Sequence, residues 1–185
     1  MTTTPFANER TVMAPPAHRS NAGAAVAALC AAAGVVLAII GLAGASRFFD
    51  AIADIVVGAA FLFEVWTVVG AGRTDEHRRG VWAERVAGWV GVVLGILALL
   101  RLAPTVLAPI AVIVFGAGLA LGMGMLSRTS RVVIGIAAIV LGILAIIQLD
   151  PRTLTLIALI GVSGILLLTG PAVASRRHGV HVPAT

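Results

Sequence analysis

The chain alternates between long apolar runs and short polar connections. A helix that crosses the roughly 30 Å hydrocarbon core of a bilayer needs about 17–25 mainly apolar residues, and runs of about this length occur six times. The runs are continuously apolar, whereas the strands of a membrane barrel alternate apolar and polar positions. The pattern therefore predicts an all-α integral membrane protein. Its six transmembrane helices are expected at about residues 22–45, 52–71, 85–100, 104–126, 131–147 and 153–170.

An internal duplication groups these helices into pairs. Residues 88–121 recur 47 positions later as residues 135–168, and Pro104 returns as Pro151 within the repeat. A repeat of this size is typical of one supersecondary unit that is used several times. We expect three tandem helical hairpins in the membrane. They are assigned to about residues 22–71, 85–126 and 131–170, within a membrane domain at residues 22–171.

The first hairpin is the most divergent of the three. It lacks the turn Pro, and residues 34–40 resemble residues 95–101 only in general character. Its first helix is longer than the apolar core of a signal peptide, so we expect it to be retained as a span.

The distribution of Arg predicts the orientation in the membrane. One side, with the tails at residues 1–21 and 172–185, carries ten Arg, whereas the other carries only Arg47, Arg101 and Arg152. By the positive-inside rule both termini face the cytoplasm. The Pro-containing N-terminal tail has no apolar periodicity and is expected to be disordered.

Composition and charge support a lipid environment. The chain is 59% hydrophobic and 11% charged, with a mean hydropathy of +1.07, so the lipid bilayer is its first expected partner. Its net charge of +5 raises the alternative of nucleic-acid binding. The basic residues are scattered between apolar runs and form no basic face with stacking aromatics, so no nucleic-acid partner is expected. The exclusive use of Arg over Lys, with abundant Ala, Val and Gly, is typical of a GC-rich bacterial genome, which places the protein in the bacterial inner membrane.

Two acidic residues within the second run are candidate intramembrane ionisable groups. Glu64 is expected near the middle of its helix, where an ionised carboxylate is costly. It is either a proton relay, an ion site or the partner of a cation, or else a structural group that faces the bundle or lies near the headgroups. Asp54 lies one turn after Asp50, and the two either attract cations or interact favourably with the helix N-terminus.

Small residues at a four-residue spacing predict close helix packing within the subunit or between subunits. Packing between subunits would give either a homo-oligomer or a place in a larger membrane complex. The packing positions are Gly91 and Gly95, Gly118 and Gly122, and Gly142 with Ala138.

The chain carries none of the common catalytic, nucleotide-binding or metal-ligating motifs. We therefore expect no catalytic residue, no metal site and no cofactor, and assign no enzymatic activity.

The repeated hairpin motif resembles that of the HdeD-like family of small bacterial membrane proteins. The resemblance rests on residues 95–100 with Pro104 and on residues 142–147 with Pro151. It implies a non-enzymatic protein with a role in acid or envelope stress tolerance. The alternatives are an accessory subunit of a membrane complex, and a proton- or ion-linked transporter or channel component that uses Glu64.

Overall fold

The chain forms six helices in a computed structural model that describes residues 18–44, 46–70, 78–100, 102–122, 128–147 and 150–175. The prediction of an all-helical protein with six helices is confirmed for this part of the chain. The tails at residues 1–17 and 176–185 lie outside the described residues. The helices are α1 (His18–Leu42), α2 (Arg47–Gly70), α3 (Arg78–Leu99), α4 (Pro104–Leu121), α5 (Arg128–Ile146) and α6 (Pro151–Ser175).

Four helices contain a stretch that is long and apolar enough to cross a membrane, namely α1, α3, α5 and α6. The apolar stretch of α4, Thr105–Leu121, is shorter. Helix α2 carries four charged residues, at positions 47, 50, 54 and 64. The apolar helices make the protein compatible with a membrane location.

Helices α2 and α3 begin five and seven residues before their predicted apolar runs, the largest such differences among the six helices. Helix α2 starts at Arg47 rather than at residue 52, and the Ser46 hydroxyl accepts a hydrogen bond of 3.2 Å from the Phe48 N–H. Helix α3 starts at Arg78 rather than at residue 85. Capping groups and charged residues continue a helix without adding to its apolar pattern, so hydropathy alone misplaces these starts.

The joints before α4 and α6 share one backbone geometry. Ala103 and Asp150 both adopt a left-handed conformation, with φ of 46° and 55°, and Pro follows each of them at the helix start. Asp150 also accepts a hydrogen bond of 3.4 Å from the Thr153 N–H, whereas Ala103 has no side chain to cap α4. Helix α4 begins at Pro104 and continues through Pro109, so the inner Pro does not delay its start.

The six helices close into a ring. Each helix packs against its neighbours in the sequence, and α6 returns to pack against α1. Helices α2, α4 and α6 also contact one another, so they form an inner group of three, with α1, α3 and α5 outside it. Gly23 lies against Thr67 and Gly41 against Asp50, which makes α1 and α2 antiparallel.

The same antiparallel relation holds around the ring, so the three inner helices run in one direction. They begin together at Arg47, Pro104 and Pro151, and we call this the proline end of the ring.

Paired glycines bring the backbones of outer and inner helices close together. Each outer helix has two glycines seven residues apart that face the inner helix beside it. Gly135 in α5 faces Gly116 in α4, and a Cβ on either would lie 2.6 Å from the other's carbonyl oxygen. Gly88 in α3 faces Gly58 in α2 in the same way. The three pairs are Gly34 and Gly41, Gly88 and Gly95, and Gly135 and Gly142.

These contacts give the first hairpin a definite register with the other two. Gly34 occupies in α1 the place of Gly88 in α3, so the loose match of residues 34–40 to residues 95–101 is displaced by seven residues. The first turn is also shorter. Ala51 in α2 and Pro109 in α4 occupy equivalent positions. Ala51 follows Gly41 by ten residues, whereas Pro109 follows Gly95 by fourteen. One helical turn is therefore missing at the first proline-end connection.

The glycines predicted to mediate packing all lie against another helix of the same chain. Gly91 and Gly118 contact Phe115 and Ala87, respectively, between α3 and α4. Gly95 and Gly142 contact equivalent isoleucines of α2 and α4, and Gly122 contacts the side chain of Glu84; the two isoleucines are Ile55 and Ile113.

Replacing Gly116 with Ala should lower the free energy of unfolding by about 1–3 kcal/mol, because two helix backbones would have to separate. Gly164→Ala is the matched control, since a Cβ there has nothing within 4 Å and should be neutral or stabilising by up to about 1 kcal/mol. Thermal unfolding of both variants in the same detergent measures the difference. Equal stability of the two variants would show that α4 and α5 do not approach this closely.

Candidate functional site

Apolar side chains of the three inner helices fill most of the centre of the ring. The inner helices present three layers of equivalent positions, and eight of these nine side chains are apolar. All nine are at most 3% exposed. The exception is Asp54. From the proline end inward the layers are Asp54, Val112 and Leu159, then Val57, Phe115 and Val162, then Phe61, Leu119 and Leu166.

Asp54 is a carboxyl group in an apolar layer. It is 1% exposed, and within the described part of the chain neither of its side-chain oxygens has a hydrogen-bond partner. It lies seven residues after Arg47, about 10 Å into α2. An ionised carboxylate in such a place is costly, because no basic side chain among the described residues pairs with it to offset its loss of hydration.

Asp50, one turn earlier on the same helix, has a different environment. Arg152 Nε donates to Asp50 Oδ2 at 2.9 Å, and a second guanidinium nitrogen lies 3.5 Å from Oδ1. This ion pair joins the starts of α2 and α6 and is partly exposed. The predicted pair of acidic residues is therefore divided into one ion-paired carboxylate and one buried carboxyl group.

A pocket of about 70 Å³ opens at the proline end, between the first turns of the inner helices. Its wall includes Leu159, which occupies in α6 the place that Asp54 has in α2. The pocket therefore reaches the depth of the Asp54 layer. Its polar lining residues are Arg47, Asp50, Thr105, Arg152 and Thr155.

Ser163 lies one layer deeper than Asp54. Its hydroxyl is fully buried beside Gly34, and in the described residues its oxygen has no hydrogen-bond partner. Gly34 in α1 also contacts Val57 in α2. The Ser163 hydroxyl therefore lies where α1, α2 and α6 meet.

Stacked aromatic rings close the interior below these groups. The Phe61 and Phe115 rings are parallel within 7°, with their centroids 5.5 Å apart. Both side chains are fully buried, and Leu119 packs in the same cluster. An apolar barrier therefore separates the outer polar groups from the opposite end.

Glu64 lies beyond this barrier and not at the middle of its helix. Helix α2 is centred near Gly58, and Glu64 is six residues, or about 9 Å, from its end at Gly70. The position near the middle was wrong because α2 begins at Arg47. Glu64 is buried, and its backbone carbonyl accepts a 2.7 Å hydrogen bond from the Thr67 hydroxyl. The structure does not bring Asp54 and Glu64 together.

An ion pair that the sequence analysis missed lies at the same end as Glu64. Arg131 Nη2 in α5 donates to Glu84 Oε1 in α3 at 2.5 Å, and the two side chains are 2% and 1% exposed. Gly122 leaves the space that the Glu84 carboxylate occupies. The repeat itself contains the missing information, since residues 84 and 131 are 47 positions apart and thus equivalent, with opposite charges.

The buried acidic groups are dispersed in the ring. Among the described residues, no group of three or more His, Cys, Asp or Glu side chains is placed to hold a metal ion. Asp54 lies beside no nucleophile or general base in the layers that surround it. A solitary buried carboxyl group in this setting exchanges a proton more readily than it performs bond-making chemistry.

Replacing Asp54 with Leu, the residue found at the equivalent position in α6, should raise the free energy of unfolding by about 1–3 kcal/mol, because it removes a buried polar group without a partner. Asp50→Asn is the control and should lower stability by up to about 1 kcal/mol, since it weakens a partly exposed ion pair. Unfolding of both variants in one detergent tests the contrast. A loss of stability in Asp54→Leu would mean that the carboxyl group has a stabilising partner.

Comparisons of the chain with protein-family models, with curated proteins and with solved structures find no match.

Proposed function

We propose that the chain is a non-enzymatic, multi-pass protein of the bacterial inner membrane, with six spans, three tandem hairpins and both termini in the cytoplasm. The observation that carries this proposal is that charged side chains are buried inside the ring while large apolar side chains are exposed on its surface, the reverse of a water-soluble protein. Asp54, Glu84 and Arg131 are buried inside, whereas large apolar side chains such as Leu29 and Trp66 are at least 70% exposed on the outside. Water would penalise such a surface, and lipid matches it.

The same distribution explains how α2 and α4 would cross the membrane. The acidic residues of α2 at positions 54 and 64 are buried, so its charge does not face lipid. Helix α4 has no charged residue and contacts α2, α3, α5 and α6. Both helices pack against helices that are long and apolar enough to cross a membrane, and this packing is compatible with a place for α2 and α4 inside a membrane bundle.

Labelling of single cysteines tests this topology. In a Cys30→Ser background, Ser46→Cys and Leu102→Cys lie at exposed positions of the proline end, and Thr129→Cys lies at an exposed position of the opposite end. A membrane-impermeant maleimide added to intact spheroplasts should modify the first two and reach Thr129→Cys only after permeabilisation. Modification of Thr129→Cys alone would reverse the orientation, and different behaviour of the first two would exclude the hairpin topology.

The resemblance to the HdeD-like family supports a role in acid or envelope stress tolerance. Survival of a deletion strain after acid challenge, with and without a plasmid copy of the gene, tests this role. Lower survival that the plasmid copy restores supports it, and equal survival of all strains under acid and detergent challenge would contradict it.

Transport is the second candidate, since a buried carboxyl group lies near a pocket. Asp54 and Glu64 lie on opposite sides of the stacked rings of Phe61 and Phe115, so they do not form one continuous polar path. This favours the role without transport. Pull-down in a mild detergent tests the remaining alternative of an accessory subunit, and an isolated protein without partners would contradict it.

A further inference from the structure

We propose that Asp54 is a proton-binding site that is filled through the pocket at the proline end and closed toward the opposite end. The site stands on the geometry of the ring. Only the assignment of the proline end to the periplasm, the side from which the proton arrives, rests on the proposed function.

The surroundings of Asp54 favour a proton over other ligands. Both carboxyl oxygens lack a partner within the described residues, and the two equivalent side chains in its layer are Val112 and Leu159. A calcium ion requires six to eight oxygen ligands, which this layer does not supply. An anion would meet the negative carboxylate. A proton, by contrast, converts the carboxylate to a neutral acid that an apolar site tolerates.

A short hydrated step connects Asp54 to the pocket. Side chains one helical turn apart, such as Asp50 and Asp54, have Cβ atoms about 5–6 Å from each other. Two hydrogen bonds of about 2.5–3.0 Å span such a gap through one water molecule. The pocket of about 70 Å³ has room for water, and the hydroxyls of Thr105 and Thr155 line it. A hydronium ion that arrives this way gives its proton to an Asp54 oxygen and leaves as water.

The charged groups that face this step are few. Asp50 and Arg47 are on α2 itself, and Arg152 extends from α6 to Asp50. Helix α4 contains no ionisable residue, and the middle of α1 contributes only the Cys30 thiol, deeper in the bundle. On α3, the side that faces the pocket is represented by an alanine, at position 98. Asp50 is thus the one carboxylate among the described lining residues of the pocket, and Arg152 holds it, whereas Asp54 has no such partner.

Closure toward the opposite end follows from the aromatic barrier. The stacked Phe61 and Phe115 rings and the buried Leu119 fill the layers below Asp54. Ser163 is the next polar group inward, and it follows Val162, which shares a layer with Phe115 of the barrier. The site therefore binds a proton without passing it across the membrane.

Carbodiimide modification followed by mass spectrometry tests the site, because a lipophilic carbodiimide adds to protonated carboxyl groups in apolar surroundings. The full-length protein is reconstituted into vesicles sorted for one orientation, and the pH of each side is varied separately. Modification of Asp54 should rise several-fold when the compartment at the proline end is acidified and stay unchanged when the other compartment is acidified. Asp54→Asn should abolish the modified peptide, whereas the matched control Glu64→Gln should retain it.

Three outcomes are informative. Modification that is independent of pH on both sides, in protein whose helix content matches the wild type, overturns the proposal. Modification that follows the pH of the compartment at the opposite end overturns closure by the aromatic barrier. In a third outcome, Asp54 modification follows the pH at the proline end in vesicles, but maleimide reaches the proline end from the cytoplasm in cells. This combination supports the proton site and overturns the proposed topology. Infrared difference spectra provide a second readout, since the C=O band of a protonated acid should disappear in Asp54→Asn.

Discussion

Arg131→Ala should lower the free energy of unfolding by about 3–5 kcal/mol, the largest electrostatic effect expected in this protein. The substitution leaves the Glu84 carboxylate buried without its guanidinium partner, at 1% exposure. Urea or SDS titration in a fixed detergent, followed by circular dichroism, measures the change.

Two controls separate the buried pair from a general effect of lost charge. Arg152→Ala breaks a more exposed ion pair, with side chains 36% and 16% exposed, and should cost no more than about 1 kcal/mol. The double variant with Leu at positions 84 and 131 removes both charges together and should recover most of the lost stability. If Arg131→Ala were no more damaging than Arg152→Ala, the buried ion pair would not exist as described.

Phe61→Ala should lower the free energy of unfolding by about 3–5 kcal/mol, because it removes a fully buried phenyl group and leaves a cavity between the inner helices. The matched control is Phe48→Ala, since this side chain is 54% exposed and its loss should change stability little. Thermal unfolding of both variants gives the comparison.

The same substitution has a functional consequence. Without the Phe61 ring, the barrier between Asp54 and Glu64 loses half of its aromatic stack. Modification of Asp54 by carbodiimide should then respond to acid on either side of the membrane. A variant that loses stability but still responds only from the proline end would place the barrier in residues other than the stacked pair.

Much of the architecture follows from the sequence because long apolar runs and an internal repeat constrain a chain in simple ways. Continuous apolar runs predict helices, and all six described helices overlap the predicted runs. The duplication at 47 residues predicts the equivalence of α3 and α5, which the contacts of Gly88 and Gly135 reproduce. The repeat also places Pro104 and Pro151 at equivalent positions, and each of them begins a helix.

The register of the first hairpin is not evident from the sequence, because its turn is one helical turn shorter than the others. A deletion in a connection shifts the alignment of all the residues on one side of it. Gly34 and Gly41 match Gly88 and Gly95 only when the two helices of the hairpin are aligned separately. The helix contacts show the register directly, because the residues that each glycine touches reveal which glycines are equivalent.

The candidate site shows where hydropathy alone is insufficient. The sequence predicts that Asp54 and Glu64 are intramembrane acids, but it does not distinguish their surroundings. Their depths depend on where α2 begins, and that position is set by local capping at Ser46. Glu84 was excluded because the apolar run was started at residue 85, although the helix itself extends back to Arg78. Charged residues near a helix end, such as Glu84, can therefore be buried when they face a neighbouring helix.

Closure of the ring by α1 and α6 is the contact that encloses Asp54 and Ser163, and a disulfide across it tests this closure directly. A Cβ on Gly34 would lie 3.6 Å from the Ser163 Cβ, within the range of about 3.5–4.5 Å that a disulfide requires. In a Cys30→Ser background, Gly34→Cys with Ser163→Cys should form an intramolecular disulfide on mild oxidation, seen as protection of both thiols from alkylation. Gly34→Cys with Ile157→Cys is the control and should stay reduced, since Ile157 is 46% exposed on α6. Val57→Ala relieves crowding next to Gly34. Failure of the Gly34→Cys and Ser163→Cys pair to cross-link both with and without Val57→Ala would contradict the closed ring.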